Sequence, residues 1–198
     1  MKYLIFAFSL LTLACATRDV TPMGLDVMSD SAYQNIINEY SDATERYSGL
    51  YNTITMRSTI LNSKVAHAQM DQSARLYLWE KPKYDEENAN VDKKNKTETN
   101  VFVSFYTPER KHDNLDRSKT LWKVFLDVNG KRYEGKAARI KKLVTSEIQG
   151  LYSYHNTFST AYIVTFPVPM SDVEKSPSKL TVTGPVGSAT QSYPALSN

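Results

Sequence analysis

Residues 121–140 read LWKVFLDVNGKRYEGKAARI, and the alternation inside them decides the fold. Trp122, Val124, Leu126 and Val128 fall on one side of an extended chain and Lys123 and Asp127 on the other, as the two-residue period of a half-buried strand requires. Asn129-Gly130 follows at once. Both residue types accept the positive φ of a type I′ turn, so the dipeptide after an alternating segment signals a hairpin. Residues 131–140 are then expected to return as one partner strand.

Outward from this hairpin the pattern continues. Residues 101–107 (VFVSFYT) are apolar on both faces, as an inner strand would be. Residues 161–168 and 180–183 read as two further strands, with Pro167 and Pro169 at a strand end where a missing N–H costs little. Gly184-Pro185 and Gly187 break the chain before a last strand near 191–194. Short strands with a strong hairpin and no βαβ alternation predict a mainly β fold, an antiparallel β-sandwich of immunoglobulin-like architecture over residues 100–198. The Cys…Trp…Cys spacing of antibody-type domains is absent, so the expectation concerns architecture alone. Thirteen tyrosines suit half-buried strand faces and edges.

One or two helices are expected to precede that core, within residues 29–80. Tyr33, Ile36, Ile37, Tyr40, Ala43 and Tyr47 recur at three- and four-residue steps, with Ser31 and Gln34 as a capping box and Ser48-Gly49 as a stop. Residues 50–61 are rich in Thr and Ile and read as a strand. Asn62-Ser63 can cap a second helix to about Tyr77, with Ala66, Met70, Ala74 and Tyr77 on one side. Residues 76–79 read equally well as a strand. Residues 81–99 carry mixed charge and almost nothing to bury, the composition of a mobile loop.

The N-terminus supplies an address. One lysine, Lys2, precedes an apolar run over 3–13 that closes on Ala14 and the chain's single cysteine. A short positive end, an apolar middle and a small residue at the cut make a secretory signal. The run is too short for a membrane span, which needs about 20 residues. Leu11-Thr12-Leu13-Ala14-Cys15 resembles the lipobox of bacterial lipoproteins, with Thr12 and Leu13 where that family usually has Leu and a small residue. The resemblance implies that residues 1–14 are removed and that Cys15 is lipidated. Residues 15–28, which include Pro22 and Gly24, would then be a flexible tether. Ala16, in place of the aspartate that retains such proteins at the inner membrane, implies the outer membrane.

The bulk numbers narrow the partners. A net charge of +3, falling to +2 without Lys2, is too mild for a nucleic-acid binder. With one cysteine no internal disulfide can form, so stability must come from packing. His67, His112 and His155 lie far apart without metal-site spacing, and no G-x-S-x-G, Gly-rich phosphate loop or H-E-x-x-H occurs. No catalytic residue, metal ligand or cofactor is therefore assigned. Residues 108–119 read as a solvated connection or a recognition loop. Lys131, Arg132, Lys136, Arg139, Lys141 and Lys142 form a basic run that could meet anionic headgroups or glycan phosphates.

Residues 151–162 (LYSYHNTFSTAY) hold the candidate binding surface: Tyr152, Tyr154, His155, Phe158 and Tyr162. Such rings either close the end of a core or stack on a ligand. The expectation is a lipid-anchored cell-envelope protein with a structural or interaction role. A glycan- or ligand-binding module using these aromatics is the alternative, and an envelope hydrolase ranks behind both.

Overall fold

The computed structural model describes residues 17–141 and 143–196. Cys15, the signal segment and Lys142 of the basic run lie outside the described residues. The fold is mainly β and antiparallel, with helices inserted between strands.

The central hairpin forms as its sequence dictates. Strands β6 (Lys123–Val128) and β7 (Lys131–Glu134) pair antiparallel with Val128 opposite Lys131. Asn129 and Gly130 both take positive φ, 52° and 72°, the backbone of the expected turn. The return does not continue as one strand to residue 140. Gly135 ends β7, and the chain steps into β8 (Lys136–Arg139), which belongs to the other sheet. A Cβ at Gly135 would lie 2.5 Å from the Phe166 ring and 2.6 Å from Val164, so only glycine passes there.

Strands β10 (Ser178–Gly184) and β11 (Gly187–Tyr193) complete a four-stranded sheet in the order β11-β10-β6-β7. The second sheet has five strands in the order β3-β4-β5-β9-β8, built from β3 (Ser41–Ser48), β4 (Tyr51–Ile60), β5 (Thr99–Tyr106) and β9 (Thr160–Phe166) with β8. The apolar segment 101–107 is thus the inner strand its composition predicts. Val101, Val103, Phe105, Val164 and Phe166 share one buried cluster with Val124, Leu126, Leu180 and Val182 of the four-stranded sheet. Ser58 of β4 hydrogen-bonds Gln191 and Tyr193 of β11 inside it. At the seam between β3 and β11, side chains replace the backbone ladder. Thr44 donates to the Thr190 carbonyl at 3.1 Å, Arg46 to the Ser188 carbonyl at 3.2 Å, and the Ser192 N–H to Asp42 at 2.9 Å. These bonds join the β3 edge of one sheet to the β11 edge of the other.

Several expectations are corrected in the N-terminal half. The first helix, α1, spans only Asp30–Glu39, and Ser29 rather than Ser31 caps it by accepting the Ala32 N–H at 3.3 Å. Ala43 and Tyr47 fit the helical spacing, yet they lie in β3, where pairing with β4 outweighs local periodicity. Helix α2 (Ser63–Leu76) begins where expected, with Asn62 Oδ1 accepting the Val65 N–H at 2.9 Å. The charged segment is a helix, α3 (Lys81–Asn95), not a loop. Lys81–Asp85 at 2.8 Å and Lys83–Glu87 at 2.5 Å span its turns, the i,i+4 spacing that supports an exposed helix. Tyr84 ties it to α2 by donating to Asp71 at 2.5 Å.

Within the presumed tether, residues 17–28 are ordered. Strands β1 (Arg18–Val20) and β2 (Asp26–Met28) form a hairpin that buries Leu25 and Val27 with Ala74 of α2. The core is also wider than 100–198, because β3 and β4 belong to the five-stranded sheet. The helices do not simply precede the strands but alternate with them, and α4 (Thr145–Leu151) lies between β8 and β9.

Candidate functional site

The aromatic segment follows α4, and the structure places most of it inside. Tyr152 stacks on Phe102 of β5, ring centroids 3.6 Å apart and planes 4° from parallel. Tyr154 hydrogen-bonds Thr59 at 2.6 Å beneath the Arg57 guanidinium, and His155 Nδ1 meets Ser104 Oγ at 2.8 Å. Burial raises the phenol pKa values of Tyr152 and Tyr154 and lowers that of the His155 imidazole. All three side chains therefore stay neutral near pH 7. Tyr162 lies in β9, apart from these three and buried. Phe158 alone is exposed, at 70%. Tyr152, Tyr154 and His155 close one face of the five-stranded sheet at Phe102 and Ser104, Tyr162 stands opposite Val103 within it, and the five do not form one stacking surface.

Two other places are open. The larger is a cleft of about 960 Å³ where the chain crosses between sheets. Gly135 and Trp122 line it, and Glu98, Asp116, Arg117 and Lys136 bring both signs of charge. On its rim Lys123 and Glu134 pair at 2.5 Å. One wall is the loop after β5, which is held from behind. Arg139 donates to the Asp113 carbonyl at 2.7 Å and to the Tyr162 hydroxyl at 2.8 Å, and that hydroxyl donates to Asp113 Oδ1 at 2.7 Å. The Trp122 indole N–H donates to the His112 carbonyl at 2.6 Å. Burial, then the hydrogen bond to Asp113, raises the Tyr162 pKa and keeps it a donor. Asp116 Oδ1 is buried without a hydrogen bond among the described residues, 3.7 Å from the Arg139 guanidinium. A rigid cleft with mixed charge can hold a small polar molecule or a polar segment of another chain.

The second place is the turn between β3 and β4. β5 pairs with β4 only from Thr55 onward, so residues 51–54 have β3 as their sole backbone partner. At the root of this ribbon Ile54 is buried, with Thr53 and Ile54 against Gly187 of β11, so only the end of the ribbon stands in solvent. At its end Leu50 is 99% and Tyr51 81% exposed, with Tyr47 beside them. Three large side chains with apolar surface thus share one exposed turn. The sequence reading missed it because it assigned Tyr47 to a helical face. The signal was the Ser48-Gly49 pair, a turn marker between threonine-rich segments.

The histidines stay apart: His67 meets Asn88 at 2.9 Å and Asp92 at 3.2 Å on α3, His112 lies beside Glu109, and His155 is in the sheet face. Among the described residues no group of three or more His, Cys, Asp or Glu could hold a metal ion. No described helix is long and apolar enough to cross a membrane. Comparison of the chain with protein-family models, curated proteins and solved structures finds no match.

Proposed function

We propose that this chain is a lipid-anchored protein of the cell envelope, favouring the outer membrane, with a non-enzymatic structural or interaction role. Its body is a β-sandwich, immunoglobulin-like in architecture, with the shared cluster between the two sheets as the filling. The lipobox at residues 11–15 supports the anchor. One acyl chain holds a protein only marginally, whereas the several chains of a lipoprotein cysteine hold it firmly, at about 0.8 kcal/mol per buried CH₂. The observation that carries the interaction role is the turn between β3 and β4, whose Tyr47, Leu50 and Tyr51 face solvent. An envelope protein is the partner that fits such an apolar tip. Burial of Tyr152, Tyr154 and His155 turns the reading away from glycan stacking on those rings.

Two measurements test this reading. Metabolic labelling with a fatty-acid probe should mark the wild type and not Cys15→Ser. A photo-crosslinking residue at position 50 should trap one discrete envelope protein, and the same residue at position 179 on the sheet face should not. An unlabelled wild type removes the anchor, and equal crosslinking from both positions removes the tip. The cleft favours a second reading, a module for a small polar ligand. Ligand-dependent shifts of the Trp122 indole resonance would support that module.

A further inference from the structure

We infer that the surface at the C-terminal end of α2 rests on the phospholipid headgroups of the bilayer that holds Cys15. The inference builds on the lipid anchor proposed above and adds an orientation to it. Cys15 and Thr17 are two residues apart in the chain, a reach of at most about 7 Å. From Thr17 onward nothing is slack. The Ser29 N–H donates to the Thr17 carbonyl at 2.9 Å, closing the β1–β2 hairpin. The hairpin is clamped to α2, with the Met28 N–H donating to Asp71 at 2.7 Å and Arg75 donating to the Met28 carbonyl. An acylated Cys15 therefore brings this corner of the body to the headgroups.

The corner is apolar where it is exposed. Met23 stands at the hairpin turn, and Leu76, Tyr77 and Leu78 follow one another at the end of α2, all exposed. Beneath them Trp79 is half-buried against Leu25, Val27 and Ala74, and its ring stacks on Tyr77 at 6.2 Å. Leu78 also has φ 52°, a backbone state that glycine holds without strain. Isolated exposed apolar residues need no explanation. Three in a row, one of them strained, beside the attachment point of a lipid, match a surface that meets the headgroup and acyl boundary.

The test uses the full chain, purified from a host that acylates lipoproteins and reconstituted in phosphatidylethanolamine and phosphatidylglycerol vesicles. The chain has two tryptophans, and Trp122 is only 2% exposed. In Trp122→Phe, brominated lipids should quench Trp79 emission at least two-fold relative to unbrominated ones. Should that variant fail to fold, the wild type gives the same comparison over a constant Trp122 background. The doubly exposed variant Leu76→Ser/Leu78→Gly should lose most of the quenching while remaining folded. Equal emission in both lipids, with acylation confirmed by intact mass, overturns the docking and leaves the anchor standing. An intact mass without acyl chains overturns the anchor. In that event the single cysteine, coupled to maleimide-phosphatidylethanolamine, recreates the tether, and quenching again supports or overturns the docking.

Discussion

Asn129 and Leu78 both stand at φ 52°, in the left-handed region that L side chains rarely adopt. Asn129 is one of the few residues suited to it, and it occupies a turn that sets the register of β6 against β7. Leu78 is poorly suited. It follows α2 at the position where a Schellman motif normally has glycine, and the 6→1 bond of that motif is made: the Trp79 N–H donates to the Ala74 carbonyl at 3.0 Å. One site has the residue that folding asks for. The other keeps a 53% exposed leucine at a cost to folding. The difference sets a residue that suits its backbone against one that does not.

The largest effect is expected in the turn. Gly130→Val places a β-branched residue at φ 72° and should cost about 2 kcal/mol, seen as a lower urea midpoint. Asn129→Leu puts the residue of the second site into the first and should cost about 1 kcal/mol. An unchanged midpoint would break the comparison, because leucine would then be harmless in the left-handed region here. Leu78→Gly runs the other way and should raise stability by about 1 kcal/mol, since the helix end keeps its hydrogen bond and sheds the strain. A loss of stability would mean that the Leu78 side chain packs on its own chain.

The same contrast explains what the sequence disclosed. The 129–130 turn and the Asn62 cap were legible because each depends on a few adjacent residues. The crossing at Gly135 was marked by a glycine inside an expected strand, but its cause is the distant pair Val164 and Phe166. β3 was hidden because Tyr40, Ala43 and Tyr47 keep a helical spacing by coincidence, and only β4 decides against it. α3 was hidden behind its charge. Counted as composition, its residues suggest a loop, yet the Lys81–Asp85 and Lys83–Glu87 spacing was present to be read. The candidate surface at 152–162 failed for a physical reason: rings that follow a short helix find Phe102 and Ser104 of the sheet before they find a ligand. The cleft joins a loop, a strand crossing and the end of β9, a convergence that no single segment announces.

The smallest effect divides the two reasons for which Leu78 could be kept. Leu78→Asn relieves most of the backbone strain and also removes the apolar side chain, so stability should rise by about 0.5 kcal/mol, less than with glycine. Tyr77→Ser removes a neighbouring ring that stacks on Trp79 without touching the φ 52° residue, and its urea midpoint should fall slightly. If contact with headgroups is what keeps an unsuited residue in place, both variants should weaken lipid quenching of Trp79, although one is stabilised and the other is not. Quenching that instead follows stability, lost in neither or restored by glycine, would show that the helix end matters for its shape. Leu78 would then be an ordinary imperfection of the fold.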